Sequence, residues 1–323
     1  MKAVMLDRYG SFDALKLRET PPPTLTDDGI LVRVHAASVD AGVWHVMTGQ
    51  PYLMRVMGFG FRKPKNPIVG MALAGQVVQV GARVTRFRPG DEVFGSCDGA
   101  FAEYACTDES RLAHKPAALT LEQAAALSIS GCTALQALRD AGQVQAGQKV
   151  LVIGAGGGVG IYAVQLAKAF GAEVTGVCSS SKVELVRSIG ADAVIDYTRS
   201  DFTRLEERYD LIVDTAGNRP LHALRRALTP QGTVVLVGGE GGNPWLGSVS
   251  RVIQAGVLSP FIRQNLRGLM STVRSEDLEF LRAQVDAGKL RPVIDRTYPL
   301  HEVPEAVRYL HDGHARGKLI IRV

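Results

Sequence analysis

Hydrophobic and polar residues alternate in short segments along the first 120 residues, and glycine or proline separates one segment from the next. Alternation of this kind predicts half-buried β-strands. Residues 50–67 are rich in glycine, proline and aromatic side chains and predict an irregular loop. Because the predicted strands are short and closely spaced, we expect residues 1–120 to form a compact β-barrel-like domain; the strands are 2–6, 29–35, 75–81 and 90–94.

The pattern changes at about residue 120. The segment Thr120-Leu-Glu-Gln123 has the spacing of a capping box, in which two side chains cap each other's backbone amides at the start of a helix. Apolar strands then alternate with helices, which predicts a parallel sheet covered on both faces. We therefore expect residues 121–269 to form a doubly wound α/β domain, with strands at 150–153, 173–178, 193–196, 210–214 and 233–237 and helices ending near 170 and 189.

The last segment of the chain, residues 270–323, has a mixed pattern. It predicts a helix at 275–287, a strand at 293–298, a second helix at 304–311 and a final strand at 318–323. We expect this tail to return to the first domain. The two chain ends would then build one domain, with the α/β domain inserted between them.

A glycine-rich turn follows the first predicted strand of the α/β domain. Gly154, Gly156 and Gly158 come directly after an apolar strand and directly before a helix, which is the context of a dinucleotide-binding turn. Without a Cβ atom the backbone can approach a pyrophosphate, whose charge then faces the N-terminus of the helix. Gly160 allows that helix to pack closely on the sheet. A flexible turn that binds no ligand is the alternative.

The end of the next strand indicates which dinucleotide binds. NAD-specific sites place Asp or Glu there to bind the ribose hydroxyls, whereas this chain has Cys178-Ser-Ser-Ser-Lys182. Hydroxyl groups and a lysine attract a 2′-phosphate that a carboxylate would repel. We therefore predict NADPH as the cofactor, with Tyr197 beside the adenosine; a plain helix cap at residues 179–182 is the alternative.

Composition sets limits on the class of protein. The chain has 323 residues, of which 46% are hydrophobic and 21% charged, as in a globular protein. No apolar run reaches the roughly 18–20 residues of a membrane-spanning helix, and Asp7 and Arg8 precede any signal-peptide core. We expect a cytoplasmic protein with no membrane segment. The widely spaced cysteines predict reduced thiols rather than disulfides or zinc knuckles; they are Cys97, Cys106, Cys132 and Cys178.

The net charge of +5 raises the question of a nucleic-acid partner. Lysine and arginine are scattered, and the densest basic stretch is Arg62-Lys63-Pro64-Lys65. Binding to a phosphate polymer needs a basic face or stripe. We therefore expect no nucleic-acid partner and interpret the excess as a mildly basic, solvated surface.

Several short stretches along the chain form a recognisable set. They are Pro89-Gly-Asp-Glu-Val-Phe94, Gly99-Ala-Phe-Ala-Glu-Tyr104, Gly131-Cys-Thr-Ala134, Gly156-Gly-Gly-Val-Gly160, Gly190-Ala-Asp192, Val194-Ile-Asp-Tyr197 and Gly313-His-Ala-Arg-Gly-Lys318. Together they resemble the medium-chain dehydrogenase/reductase superfamily along essentially the whole chain, and in particular its zinc-independent quinone oxidoreductase (zeta-crystallin-like) branch. The resemblance implies a GroES-like β-barrel catalytic domain built from both chain ends, a central Rossmann domain, a cleft between them and a homodimer.

The resemblance also implies positions for the parts of the cofactor. His314 and Arg316 in the tail are further cofactor candidates, for which a purely structural role is the alternative. The implied contacts are Gly156, Gly158, Val159 and Gly160 with the pyrophosphate, Ser179, Lys182 and Tyr197 with the 2′-phosphate ribose, and Thr133, Val237, Gly238 and Gly239 with the nicotinamide.

The zinc-dependent relatives bind their catalytic metal through Cys, the His of Gly-His-Glu and a second Cys. This chain has Asp40 at the first position and Gly70-Met71-Ala72 at the second, and it lacks the four cysteines of the structural zinc lobe. Asp40 and His45 are too few to hold zinc, so we predict no metal. Reductases of this branch often have Asn where Asp40 stands. Asp40 is therefore a candidate that either brings charge toward the nicotinamide or binds backbone amides.

Without zinc, the predicted reaction is hydride transfer from NADPH to a quinone or an α,β-unsaturated carbonyl, followed by protonation. Tyr52 resembles the proton-donating tyrosine of related enoyl reductases, with simple aromatic packing as the alternative. Residues 52–61 and 245–267 are expected to shape a hydrophobic substrate pocket. An NADP-dependent alcohol dehydrogenase, an enoyl-thioester reductase of the same fold and a non-catalytic NADPH-binding redox sensor remain alternatives.

Overall fold

A computed structural model of the chain describes residues 1–238, 244–247 and 249–323. These residues form two compact units, one of residues 1–132 and 272–323 and the other of residues 133–271. The predicted domain limits at residues 120 and 269 stay predictions. In the structure, the helix that begins at Leu121 contributes most of its length to the first unit.

The regular elements are numbered in chain order. The strands are β1 (Lys2–Leu6), β2 (Leu15–Glu19), β3 (Gly29–Val39), β4 (Ala72–Val80), β5 (Glu92–Ser96), β6 (Tyr104–Asp108), β7 (Leu112–His114), β8 (Lys149–Ile153), β9 (Glu173–Cys178), β10 (Ala193–Asp196), β11 (Tyr209–Asp214), β12 (Leu228–Leu236), β13 (Asn265–Gly268), β14 (Ile294–Pro299) and β15 (Lys318–Arg322). The α-helices are α1 (Ala41–Thr48), α2 (Leu121–Gln136), α3 (Gly160–Ala169), α4 (Val183–Ser188), α5 (Leu221–Arg226), α6 (Val249–Leu258), α7 (Ser275–Asp286) and α8 (Val303–His311).

The first unit is built around the long strand β3. A seven-stranded sheet has the order β14-β15-β3-β4-β5-β7, β6 also pairs with β3, and β1 and β2 form a separate antiparallel ribbon. The C-terminal strand β15 runs antiparallel to β3, with Leu319 opposite Val39. The tail of the chain therefore completes the sheet that the first residues begin, as expected. The loop predicted at residues 50–67 contains a π-helical turn, Arg55–Phe59.

The second unit is a six-stranded sheet in the order β10-β9-β8-β11-β12-β13, and every neighbouring pair is parallel. Counted from β8, this is the strand order 3-2-1-4-5-6 of a doubly wound dinucleotide-binding sheet. The central strands are almost entirely apolar and buried, as strands covered on both faces must be. The doubly wound α/β architecture predicted from the alternation is confirmed.

Helix α2 begins with the capping box that its sequence predicted. The Thr120 N–H donates to Oε1 of Gln123 at 3.0 Å, and the Gln123 N–H donates to Oγ1 of Thr120 at 3.2 Å. Two amides that the helix itself leaves without an acceptor are thereby satisfied. Among the described residues, no helix is long and apolar enough to cross a membrane.

Replacement of Thr120 by Ala removes one half of this capping box. We expect the free energy of unfolding to fall by about 1 kcal/mol, as for other N-cap threonines, measured by urea denaturation. Thr24→Ala, at an exposed position outside the regular elements, is the control and should change stability by less than about 0.5 kcal/mol. Equal effects of the two substitutions would contradict the cap.

Candidate functional site

The glycine turn lies at the carboxyl end of β8, where the sheet order reverses. Gly154 has φ +81°, and a Cβ atom there would lie 2.4 Å from Oγ1 of Thr215, which itself donates to the Ile153 carbonyl at 2.7 Å. A Cβ atom on Gly160 would lie 2.1 Å from the Gly154 carbonyl oxygen. Both positions therefore require glycine, and together they bring the start of α3 against the end of β8.

The amides of this turn point to an anion. Among the described residues, the N–H groups of Gly156, Gly158, Val159 and Gly160 donate to no acceptor. Val159 occupies the N-cap position of α3 and makes no side-chain capping hydrogen bond. Consecutive donors at the positive end of a helix form a ready site for phosphate. The turn therefore fits the pyrophosphate of a dinucleotide.

Lys182 lies directly over the turn. A Cβ atom on Gly156 would be 2.9 Å from both Cβ and Cδ of the Lys182 side chain. The structure therefore brings together the residue expected at the pyrophosphate and the lysine expected at the 2′-phosphate. Ser179 precedes the 3₁₀ turn Ser180–Lys182 without capping it, and its Oγ lies 3.3 Å from Oγ of Ser181. The alternative in which Ser179 acts as a helix cap is not supported by this geometry.

The sequence reasoning missed a carboxylate on the neighbouring strand. Asp196 ends β10 and accepts hydrogen bonds from Ser180 Oγ at 2.5 Å and from the Thr198 hydroxyl at 2.7 Å. These bonds hold the pKa of Asp196 below its usual range, so it is charged at neutral pH. Tyr197 follows it, half exposed, and donates its N–H to the Cys178 carbonyl at 3.1 Å.

Cys178 ends β9 next to these groups. Burial raises the pKa of its thiol to about 11, so the side chain is a protonated thiol. All four cysteines are free, as predicted.

Three of the four residues expected to border the nicotinamide are described. Val237 donates its N–H to the Asp214 carbonyl at 3.0 Å, and Gly238 lies close to the Thr215 carbonyl oxygen, so both sit at the edge of the sheet where β11 and β12 end. Thr133 is buried near the end of α2. Gly239 lies outside the described residues.

Asp40 lies in a buried polar cluster of the first unit. Its Oδ1 accepts from Ser130 Oγ at 2.9 Å and its Oδ2 from Ser38 Oγ at 3.0 Å, and Lys318 Nζ makes an ion pair with Oδ1. Lys318 also donates to Ser130 Oγ at 2.9 Å, and its side chain is only 2% exposed. The charge of Asp40 is therefore compensated by a lysine from the opposite end of the chain, a partner that the sequence did not reveal.

Tyr52 stacks on an arginine. The guanidinium carbon of Arg55 lies 4.6 Å from the Tyr52 ring centroid and 4.3 Å from that of Tyr9, so one cation lies against two rings. Arg55 also donates to the carbonyls of Gly49 and Thr48 at 2.9 and 3.1 Å. Sequence reasoning missed Tyr9 and Arg55, because nothing in the local pattern links residues 9 and 55.

The tail candidates are exposed. The His314 ring lies 5.8 Å from that of Tyr309, and the Arg316 N–H donates to the Asp295 carboxylate at 3.0 Å. These contacts are compatible with a structural role, and the cofactor role of His314 and Arg316 stays a prediction. In the described part of the chain, no three His, Cys, Asp or Glu side chains come together as metal ligands.

Comparison with known proteins agrees with the fold. Residues 26–117 match the family model described as alcohol dehydrogenase GroES-like domain, and residues 189–321 the model described as zinc-binding dehydrogenase. The mitochondrial NAD(P)H oxidoreductase RTN4IP1 of Mus musculus is 32% identical, covering 100% of this chain and 89% of that protein. The 2-methylene-furan-3-one reductase of Solanum lycopersicum is 34% identical, covering 99% of this chain and 79% of that protein. The solved quinone oxidoreductase of Coxiella burnetii superposes with a TM-score of 0.88 at 29% identity, covering 100% and 99% of the two chains.

The chain belongs to the medium-chain dehydrogenase/reductase superfamily. Within it, the chain falls in the quinone oxidoreductase branch, as the sequence resemblance predicted, and it is an NAD(P)H-dependent oxidoreductase. The GroES-like and Rossmann parts of the prediction are both confirmed.

The buried Asp40–Lys318 ion pair predicts that substitutions of the two residues have strongly non-additive effects on the free energy of unfolding. Lys318→Met leaves a buried carboxylate without its counter-charge and should lower the free energy of unfolding by about 3–5 kcal/mol, whereas adding Asp40→Asn should recover part of that loss. Urea unfolding of the two single variants and the double variant measures the coupling. Strictly additive losses would show that the two side chains do not interact.

Proposed function

We propose that the protein is a zinc-independent, NADPH-dependent oxidoreductase that transfers a hydride to a quinone or an α,β-unsaturated carbonyl. The observation that carries the cofactor preference is the position of Lys182 over the glycine turn, together with three serines and no acid at the end of β9. A cation and hydroxyl groups at this place favour a 2′-phosphate. The Asp196 carboxylate opposes it, because the hydrogen bonds from Ser180 and Thr198 keep that carboxylate charged.

The cofactor residues are assigned in the same way. The free amides of residues 156 and 158–160 fit the pyrophosphate, and Ser179, Lys182 and Tyr197 fit the 2′-phosphate ribose. The nicotinamide is assigned to Thr133, Val237, Gly238 and Gly239, while His314 and Arg316 remain weaker cofactor candidates. When bound, NADPH supplies the hydride.

The substrate class rests on two supports. Relatives of the chain carry the names quinone oxidoreductase and 2-methylene-furan-3-one reductase, which indicate quinone and enone acceptors. Asp40 stands at the position of the relatives' first zinc ligand, and its carboxylate is paired with Lys318. We therefore assign it no part in holding a zinc ion that would polarise a simple aldehyde. Quinones and enones are electrophilic enough to accept a hydride without a Lewis acid.

Two residues of the first unit receive different roles. Asp40 is assigned a positioning role, because its carboxylate is held by Lys318 and two serines. Tyr52 is assigned the role of proton donor to the α-carbon of the enolate that forms when the β-carbon of an enone accepts the hydride. The cytoplasmic location and the homodimer stay predictions.

The cofactor proposal predicts a shift in preference. Lys182→Ala should lower kcat/KM for NADPH by roughly 10- to 100-fold, the value of one charge-assisted hydrogen bond, with little effect on NADH. Ser179→Asp should lower the NADPH rate as well and raise the NADH/NADPH ratio, because a carboxylate repels the 2′-phosphate. Lys289→Ala, which removes an exposed lysine of the other unit, is the control. Faster turnover of the wild-type protein with NADH than with NADPH would overturn the proposal.

The substrate proposal predicts which acceptors consume NADPH. The loss of NADPH absorbance is followed against quinones, enones, enoyl thioesters and aldehydes, with the wild-type protein and with Tyr52→Phe. Quinones and enones should turn over. Tyr52→Phe should lower enone turnover by about 100-fold, the usual value of a general acid, and should leave quinone turnover nearly unchanged, because a quinol anion takes its proton from water.

Other outcomes of the panel identify the alternatives. Turnover of thioesters alone indicates an enoyl-thioester reductase, and oxidation of alcohols with NADP⁺ indicates an alcohol dehydrogenase. Tight NADPH binding without any turnover indicates a redox sensor. Equal loss of both activities in Tyr52→Phe would assign Tyr52 to packing against Arg55 instead of proton transfer.

A further inference from the structure

The segment of residues 56–65, called here the 56–65 loop, presents large apolar side chains to solvent. Val56 is 66% exposed, Met57 57%, Phe59 43% and Phe61 70%. Isolated apolar residues are common on protein surfaces, but a group of four within six residues marks an interaction surface.

The same loop continues into the densest basic stretch of the chain. Arg62, Lys63 and Lys65 are all exposed, and the sequence contains no Asp or Glu between Asp40 and Asp91. One acid from a neighbouring segment lies near the end of the loop: the backbone carbonyl of Asp98 accepts from the side-chain amide of Asn66. Its carboxylate pairs with Arg111 at 3.2 Å, so this acid is already compensated. The surface of the loop is therefore both apolar and cationic.

Hydrogen bonds to its backbone carbonyls hold the loop in place. The Tyr9 hydroxyl donates to the Gly60 carbonyl at 2.6 Å, and the Lys65 N–H donates to the Phe59 carbonyl at 2.9 Å. Gly60 has φ +108°, and a Cβ atom there would lie 2.1 Å from the Lys63 carbonyl oxygen. The backbone carbonyls of Phe59 and Gly60 thus have donors inside the protein, which lowers the cost of placing the loop where little water is available.

We propose that the 56–65 loop binds the surface of an anionic lipid bilayer. Its apolar side chains enter the headgroup region, and its three cations contact lipid phosphates. Apolar burial and attraction to anionic lipids are each weak alone and bind reversibly when combined. The proposal concerns a peripheral contact and does not rest on the proposed reaction, although residues 56–61 of the loop also fall in the segment expected to shape the substrate pocket.

Charge decides between the possible occupants. A second copy of this chain would bring two cationic loops together, which repel each other. A neutral lipophilic substrate would explain the apolar side chains but not the three cations. An anionic bilayer satisfies both features, and it accepts projecting aromatic side chains without a shaped pocket.

The test is co-sedimentation of the full chain with vesicles of phosphatidylcholine, with and without phosphatidylglycerol. We expect binding to the anionic vesicles only, weakening as salt rises. The variant Arg62→Gln/Lys63→Gln/Lys65→Gln should bind on the order of 100-fold more weakly. A control with the same loss of charge, Lys16→Gln/Arg199→Gln/Lys289→Gln at exposed positions elsewhere, should retain most of the binding.

Insertion of the apolar side chains is measured separately. Phe61→Trp should show a blue shift of its added emission on anionic vesicles, and Phe59→Ser/Phe61→Ser should reduce binding while circular dichroism stays unchanged. Equal losses in the two triple variants would show non-specific attraction and overturn the proposal. So would equal binding to neutral vesicles, or binding to polyglutamate through the same three cations without binding to vesicles, since that result indicates an acidic protein partner.

Discussion

The close approach of α3 to the end of β8 is the constraint on which the cofactor site depends. Hydrogen in place of a side chain at Gly154 and Gly160 lets two backbone segments meet where any Cβ atom would overlap an oxygen. This contact places the start of α3 at the edge of the sheet where the strand order reverses. Among the described residues, the N–H groups of Gly156, Gly158, Val159 and Gly160 have no acceptor there. Because β9 is the neighbour of β8 in the sheet, Lys182, which follows β9 in the chain, lies against Gly156 of the glycine turn.

Most of the second unit was predictable because its signals are local. Apolar strands, the capping box at Thr120 and the glycine turn each reside in a few consecutive residues, and a parallel sheet leaves few alternatives for their order. The bounds failed where the pattern is interrupted. β12 begins at Leu228, before Pro230 and Gly232, and such residues remove a strand signal without preventing an extended backbone.

The first unit was harder to predict because its partners are far apart in the chain. β2 was missed since only Leu15 of its five residues is buried, so no alternation toward a core exists. The Asp40–Lys318 pair joins residues 278 positions apart, and a buried ion pair has no periodicity to detect. The sequence suggested two interpretations of Asp40, a charge near the nicotinamide or a partner of backbone amides. Neither included Lys318, the lysine that neutralises it.

The compensation of Asp40 bears on the choice of substrate. Reduction of a carbonyl by hydride leaves negative charge on oxygen, and an enzyme without zinc must stabilise or protonate that oxygen. The Asp40 carboxylate is paired with Lys318 and is therefore not placed to activate a poor acceptor. A quinone delocalises the charge over its ring and an enone over an enolate. Acceptors of this kind need the least activation by side chains, which is why the proposed reaction uses them rather than aldehydes.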